Sequence, residues 1–259
     1  MQIIIPMTGY GSRFIAAGYK KLKPFIEVEG MPIVEWIIKG IYPGEENVIF
    51  VCRKEHLDNI DGMEAELRRI SPTAQIFAID DWIKKGPVYD VLQASDAIDD
   101  DEPAIINYCD FYMTWNWQDF KTRLEDRNPD GCVPCYTGFH PHLMVEKNYY
   151  ASCLTDEDDN LIEIREKYSF EKDKTKAKHS PGNYYFRSGR CLKKYCQMLV
   201  DSGEELNGEY YASMPYNFMV RDGLKVWIPT NIEYFCQWGT PEDMRESIYW
   251  INMMKEIGR

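Results

Sequence analysis

A doubly wound α/β fold, with a mostly parallel sheet and helices on both of its faces, is what this sequence predicts. Three observations carry that expectation. The chain opens on a short apolar run, residues 2–5, and a glycine-rich loop follows at once. Strand-like and helical segments then alternate as far as Asp110, the order that yields parallel strands joined by crossover helices. No linker or internal repeat interrupts the remaining chain, so the second half is expected to extend the same sheet with a small mixed-sheet lobe.

Residues 2–5, polar only at Gln2, have the apolar character of a strand buried on both faces. Residues 25–28 read as a short strand, and Gly30-Met31-Pro32 as a turn. Pro32 suits the first turn of a helix through Ile33, Trp36, Ile37 and Gly40, whose apolar spacing is helical. Residues 47–52 form the second core strand, 58–70 an amphipathic helix, and 74–79 a third strand. Gly86-Pro87 opens a helix over 88–98, and residues 104–108 are a fourth strand leading into Asp110. Right-handed crossovers gather the loops at the carboxyl ends of these strands. Beyond, strands are expected over 131–136, 151–154, 161–165, 183–187, 225–229 and 232–235, with helices over 192–199 and from about Pro241.

A chain of 259 residues can bury one substantial core, and 1–259 is read as one domain, 1–125 and 126–259 forming its two halves. It is 44% hydrophobic and 28% charged, with no low-complexity tract. No apolar run approaches the roughly 20 residues of a membrane helix, and no basic segment precedes residues 2–5 as a signal peptide requires. The expectation is a cytoplasmic protein with no membrane partner. A net charge of −12 argues against a nucleic-acid surface, yet leaves room for a nucleotide whose phosphates meet a few placed cations. Eight cysteines are scattered along the chain. The close pair Cys132 and Cys135 lacks a second ligand pair and reads as buried thiols; His140 and His142 read as loop residues.

The chemistry concentrates in Pro6-Met7-Thr8-Gly9-Tyr10-Gly11-Ser12-Arg13, directly after the first strand. Glycines let the backbone approach phosphate oxygens, and successive N–H groups form an anion cradle. Arg13 adds a fork suited to phosphate. A dinucleotide fingerprint requires a third glycine, and position 14 is Phe. Asp110, after the fourth strand, brings a hard carboxylate to the same sheet edge, the donor that suits Mg²⁺.

The order Gly-x-Gly-x-Arg, then Lys23-Pro24, a strand, Gly-x-Pro and a helix resembles the N-terminal region of the sugar-phosphate nucleotidyltransferases, a superfamily with a Rossmann-like fold that also holds phosphocholine cytidylyltransferases. The resemblance implies that Arg13 and Lys23 neutralise the triphosphate and its pyrophosphate leaving group. It implies nucleotide contacts from Pro6, Met7, Thr8, Gly9, Tyr10, Gly11 and Ser12, a base edge against Gly86, and a Mg²⁺ on Asp110. Lys167, in Glu163-Ile164-Arg165-Glu166-Lys167, resembles the family lysine that meets the acceptor phosphate. Gly182, Asn183 and Tyr184 resemble its acceptor-lining strand.

The match departs from the family in three places. Ile5-Pro6-Met7-Thr8-Gly9 stands for the usual Leu-Ala-Ala/Gly-Gly, with one backbone donor lost at Pro6. Met31 stands where Lys is common, and Gly239 stands where several members carry a second metal-binding Asp. Glu209 is the alternative second ligand. Gly239-Thr240-Pro241-Glu242-Asp243 also reads simply as a helix start, and resembles capsule and lipopolysaccharide nucleotidyltransferases. The expected reaction moves a nucleoside monophosphate, CMP favoured, from an NTP to a phosphorylated small molecule such as a sugar phosphate or phosphocholine. A glycosyltransferase using a nucleotide-sugar is the alternative, although Phe111-Tyr112 after Asp110 gives no Asp-x-Asp; a non-catalytic nucleotide-binding relative is the other. A homo-oligomer is compatible with all of these.

Overall fold

The computed structural model describes residues 1–258. Its centre is a seven-stranded sheet. The first strand, β1 (Gln2–Pro6), is followed by the short helix α1 (Ser12–Ala16) and a small ribbon, β2 (Glu27–Val28) with β3 (Met31–Pro32). Helix α2 (Ile33–Trp36) runs on into a π-helical turn over Ile37–Ile41. Then come β4 (Val48–Arg53), α3 (Lys54–Asn59), α4 (Met63–Ile70), β5 (Gln75–Ile79), α5 (Pro87–Gln93) and β6 (Ala104–Asn107). The rest comprises β7 (Phe111–Thr114), α6 (Trp117–Arg127), β8 (Gly131–Cys132), β9 (Ser152–Thr155), β10 (Leu161–Arg165), β11 (Lys178–His179) and β12 (Asn183–Phe186). Helices α7 (Gly189–Ser202) and α8 (Pro215–Arg221), strands β13 (Val226–Trp227) and β14 (Tyr234–Gln237), and α9 (Pro241–Ile257) complete it.

The sheet order is β13-β8-β12-β6-β1-β4-β5. Strands β6, β1, β4 and β5 run parallel, and β12 enters antiparallel between β6 and β8. The second half therefore continues the sheet of the first, through β12, β8 and β13. It also adds the three-stranded β10-β9-β11 sheet and the β14-β7 ribbon. Ile3 and Ile5 pack into the core on one face of the sheet, with Val48, Phe50 and Ile105. Ile4 enters the opposite core with Ile49, Val51 and Ile106. Helices cover both faces, so successive strand residues are all buried and the usual polar alternation disappears.

Several expected elements are corrected. Of residues 25–28, Phe25 ends a tight 3-10 turn over Lys23–Phe25, and only Glu27–Val28 pair as strand. The helix expected over 58–70 is two helices, broken where Gly62 takes a φ of 75°. The strand over 131–136 is cut to Gly131–Cys132, since Pro134 has no N–H for a ladder; Val133 and Cys135 still donate to Trp227 and Pro229. Unread in the sequence were β7, which pairs with β14, α6, capped by the Asn116 side chain, and α8. All eight cysteines are unpaired thiols. Among the described residues no helix is long and apolar enough to cross a membrane.

Candidate active site

A cleft of about 340 Å³ opens at the carboxyl ends of β1 and β6, walled by the β1–α1 loop, the start of α5, Tyr108 to Asp110, and the Glu209–Tyr211 segment. The parallel strands aim their ends here, and the loops between them carry the polar groups. Pro6, Thr8, Gly9, Tyr10 and Ser12 all line it, as does Gly86. Met7 does not: its side chain is buried in the core, so only its backbone is available to the loop. Gly11 closes the turn with a φ of 63°, the left-handed backbone that glycine adopts without steric cost.

Lys23 and Asp110 meet inside the cleft. Lys23 Nζ donates to Asp110 Oδ2 at 3.0 Å, with side chains 20% and 34% exposed. Burial disfavours the Lys23 ammonium, but the Asp110 carboxylate and its hydrogen bond, helped by Cys109, more than offset this and raise its pKa. Arg13, on α1, is exposed, and its positive charge is felt by both Lys23 and Asp243. Lys23 and the strand-end carboxylate thus face one volume, while Arg13 lies outside the lining of the cleft.

Gly239 sits against the same carboxylate. A Cβ at position 239 would lie 3.5 Å from Asp110 Oδ2, and Trp238 N–H donates to the Asp110 carbonyl at 2.9 Å. A side chain placed here would share a ligand with Asp110; glycine leaves the space open. Glu209, the other candidate ligand, is held instead by Lys84 at 2.8 Å. No group of three or more His, Cys, Asp or Glu among the described residues forms a metal cage. His142 Nε2 is engaged at 2.8 Å by the Tyr136 hydroxyl.

Lys167 reaches the cleft indirectly. It follows β10 with a φ of 52°, its ammonium donates to the Tyr211 hydroxyl at 2.7 Å, and Tyr211 is a cleft wall. Beside it, the Glu166 carboxyl accepts from the Ser213 hydroxyl at 2.6 Å; burial pushes it up to about 7 against the pull of Ser213 and Lys167.

The acceptor-strand expectation is corrected in its geometry. Asn183 and Tyr184 are buried within the sheet, Tyr184 packing on Tyr108 and Tyr216. The strand is central, so its residues face helices, and Tyr108 is what the cleft meets. Gly182 gives Tyr108 room, since a Cβ there would lie 2.9 Å from that ring. Gly86 has a comparable reason: with a φ of 91°, its Cβ would fall 2.7 Å from the Tyr210 nitrogen. Its glycine is required by chain packing and leaves its backbone exposed to the cleft.

Residues missed in the sequence complete the wall. Asp90, 3% exposed on α5, accepts from the Thr8 hydroxyl and, at 2.9 Å, from the Trp82 indole. Burial pushes its carboxyl up to about 6; those two donors and Arg53 pull it down, and Glu209 adds to the rise. A carboxylate between the core residues Val88 and Val91 was the available signal.

No family model matches this chain, and no curated sequence matches it. Solved structures do. A nucleoside-diphosphate-sugar pyrophosphorylase from Vibrio cholerae RC9 superposes with a TM-score of 0.77 at 18% identity, covering 96% of this chain and 100% of that one. An inositol-1-phosphate CTP transferase from T. maritima gives 0.69 at 14%, covering 96% and 93%. A UDP-glucose pyrophosphorylase solved with UDP-glucose gives 0.72 at 13%, covering 97% and 98%. The structural neighbours are thus nucleotide-sugar pyrophosphorylases and nucleotidyltransferases, and what is shared at these identities is the doubly wound fold.

Proposed function

We propose that this chain is a Mg²⁺-dependent nucleotidyltransferase, moving a nucleoside monophosphate from an NTP to a phosphorylated small molecule and releasing pyrophosphate. The observation that carries the reading is the convergence of the glycine loop, Lys23 and Asp110 on one cleft. The likeness to sugar-nucleotide pyrophosphorylases supports a sugar phosphate as acceptor, and the T. maritima CTP transferase supports CTP as donor. The Pro6-Met7 loop and the Gly239-to-Asp243 segment favour surface-polysaccharide precursor synthesis in the cytoplasm. Residues 1–125 are assigned to the nucleotide and 126–259 to the acceptor, within one domain.

The acceptor phosphate oxygen attacks the α-phosphorus in line; that P–O bond forms as the bond to the β-phosphate bridging oxygen breaks. A phosphate dianion is already ionised near neutrality, so the protein need supply no nucleophile. Catalysis is then positioning and charge neutralisation. Lys23 and Arg13 hold the leaving pyrophosphate, while backbone N–H groups of Gly9 to Ser12 cradle the chain of phosphates. Lys167, oriented by Tyr211, screens the repulsion between the two anions. Asp110 is the residue that would hold Mg²⁺, and one carboxylate fits an ion that completes its shell with phosphate and water. The ion supplies charge neutralisation on the phosphate oxygens.

Pyrophosphate release, with each of the four NTPs against a panel of sugar phosphates, phosphocholine and phosphorylated amino acids, tests the assignment. A productive pair with CTP is expected. Calorimetry without heat for every NTP in MgCl₂ would end it.

A further inference from the structure

The polar groups of the cleft fall into two sets by their contacts. Lys23 pairs with Asp110 at 3.0 Å, whereas Asp90 is held by Thr8 and Trp82, with the Lys84–Glu209 pair also on the cleft wall. Phosphates belong with the first set. The second, where Trp82, Gly86 and Asp90 line the cleft, presents a carboxylate, which repels phosphate and needs a donor instead.

From this arrangement, and resting on the nucleotidyltransferase reading, we propose that Asp90 selects the base of the nucleotide, accepting a hydrogen bond from an exocyclic amine and rejecting bases with a carbonyl there. Each carboxylate oxygen has two lone pairs. Thr8 occupies one on Oδ2 and Trp82 one on Oδ1, so both oxygens are fixed in direction and both retain capacity. Cytosine and adenine carry an amine on the edge that distinguishes them from uracil and thymine, which carry an oxygen there. A carbonyl facing a buried carboxylate leaves both acceptors unpaired, the arrangement that discriminates most strongly.

The surroundings keep Asp90 charged and still. Arg53, 2% exposed, lies with its guanidinium 3.9 Å from the centre of the Tyr10 ring and 4.7 Å from that of Trp82, and donates to Glu55. Its Nε and Nη1 have no hydrogen-bond partner, and although the guanidinium is paired with Glu55, its positive charge still favours the ionised Asp90. With a carboxyl pushed up only to about 6, Asp90 is mostly ionised at pH 7.5. Thr8 ties it to the phosphate loop, which couples base choice to loop position.

Isothermal titration in MgCl₂ tests this, with CTP, ATP, UTP and dTTP against wild type and Asp90→Asn. Wild type should bind CTP and ATP at least about tenfold more tightly than UTP and dTTP, the least that a charge-assisted hydrogen bond provides. Asp90→Asn keeps the shape and, with its oxygen held on the Trp82 side, an acceptor for that indole; the amide then offers the base a donor beside the remaining acceptor, so the ratio should fall towards one. Circular dichroism melting checks that the variant folds; if it does not, the wild-type ranking still decides. Equal or reversed wild-type affinities, or an unchanged ratio in a folded variant, would overturn the inference alone. Binding of none of the four, nor of GTP, would remove the nucleotidyltransferase reading as well.

Discussion

The ammonium of Lys23 stands 3.0 Å from Oδ2 of Asp110 across the cleft. The two residues are 87 positions apart and belong to different motifs. In the free protein each neutralises the other, and a bound triphosphate would draw Lys23 to its oxygens while freeing Asp110. Lys23→Ala and Asp110→Ala should each lower turnover by roughly 10²–10³-fold, the loss typical of removing one preorganised charge. Because the pair is partly exposed, its loss should cost no more than about 1 kcal/mol of stability. Pyrophosphate release and thermal melting separate the two effects. The double variant should lose less than the product of the single losses, and a chelator should stop turnover until MgCl₂ is restored. Near-wild-type rates in either variant would remove these roles.

Gly239→Asp puts a second carboxylate beside Asp110, since a Cβ there would lie 3.5 Å from Asp110 Oδ2, in van der Waals contact. Two like charges at this distance should lower the melting temperature of the metal-free protein, and a divalent cation should recover it. Direct titration with Mn²⁺, read by electron paramagnetic resonance without nucleotide, should show tighter binding than wild type. Equal affinity would mean that position 239 does not face the ion.

Gly86→Ala tests the junction between α5 and the Tyr210 backbone. The variant combines a φ of 91° with a contact of 2.7 Å, so it should lose at least about 2 kcal/mol by strain and overpacking. Denaturant unfolding measures this. A loss of NTP affinity with unchanged stability would instead assign Gly86 to base contact alone.

Glu166 gives the fold a pH dependence. Its carboxyl is pushed up from 4.5 to about 7 by burial, so the folded state holds a proton that the unfolded chain releases. Stability from this group is full below pH 4.5 and declines as pH rises through about 7. Glu166→Gln keeps a bond to Ser213 and removes the titration. Its melting temperature relative to wild type should therefore rise between pH 5 and pH 8, and a constant difference would contradict the burial of this carboxyl.

The Lys23–Asp110 end of the cleft was legible in the sequence because its signals are local. Gly9, Gly11, Arg13 and Lys23 lie within one short stretch, and Asp110 is named by the strand it follows. The Asp90 end was not. Asp90, Trp82 and Arg53 come from α5, the loop before it and the end of β4, and only packing brings them to Thr8 and Tyr10. Asn183 and Tyr184 show the converse: their pattern suggested a wall, and the sheet order buried them behind Tyr108.

By itself the sequence determined the alternation of elements, the two-faced burial of β1 and the chemistry of the loop that follows it, since helical and strand periods and glycine backbone freedom are properties of neighbouring residues. Only the tertiary structure decided that β12 enters the sheet antiparallel beside β6, that Gly239 rests on Asp110, and that the Asp90 carboxylate lines the cleft. These are contacts between segments remote in the chain. Their formation depends on which faces can be buried together, a condition that no local pattern contains.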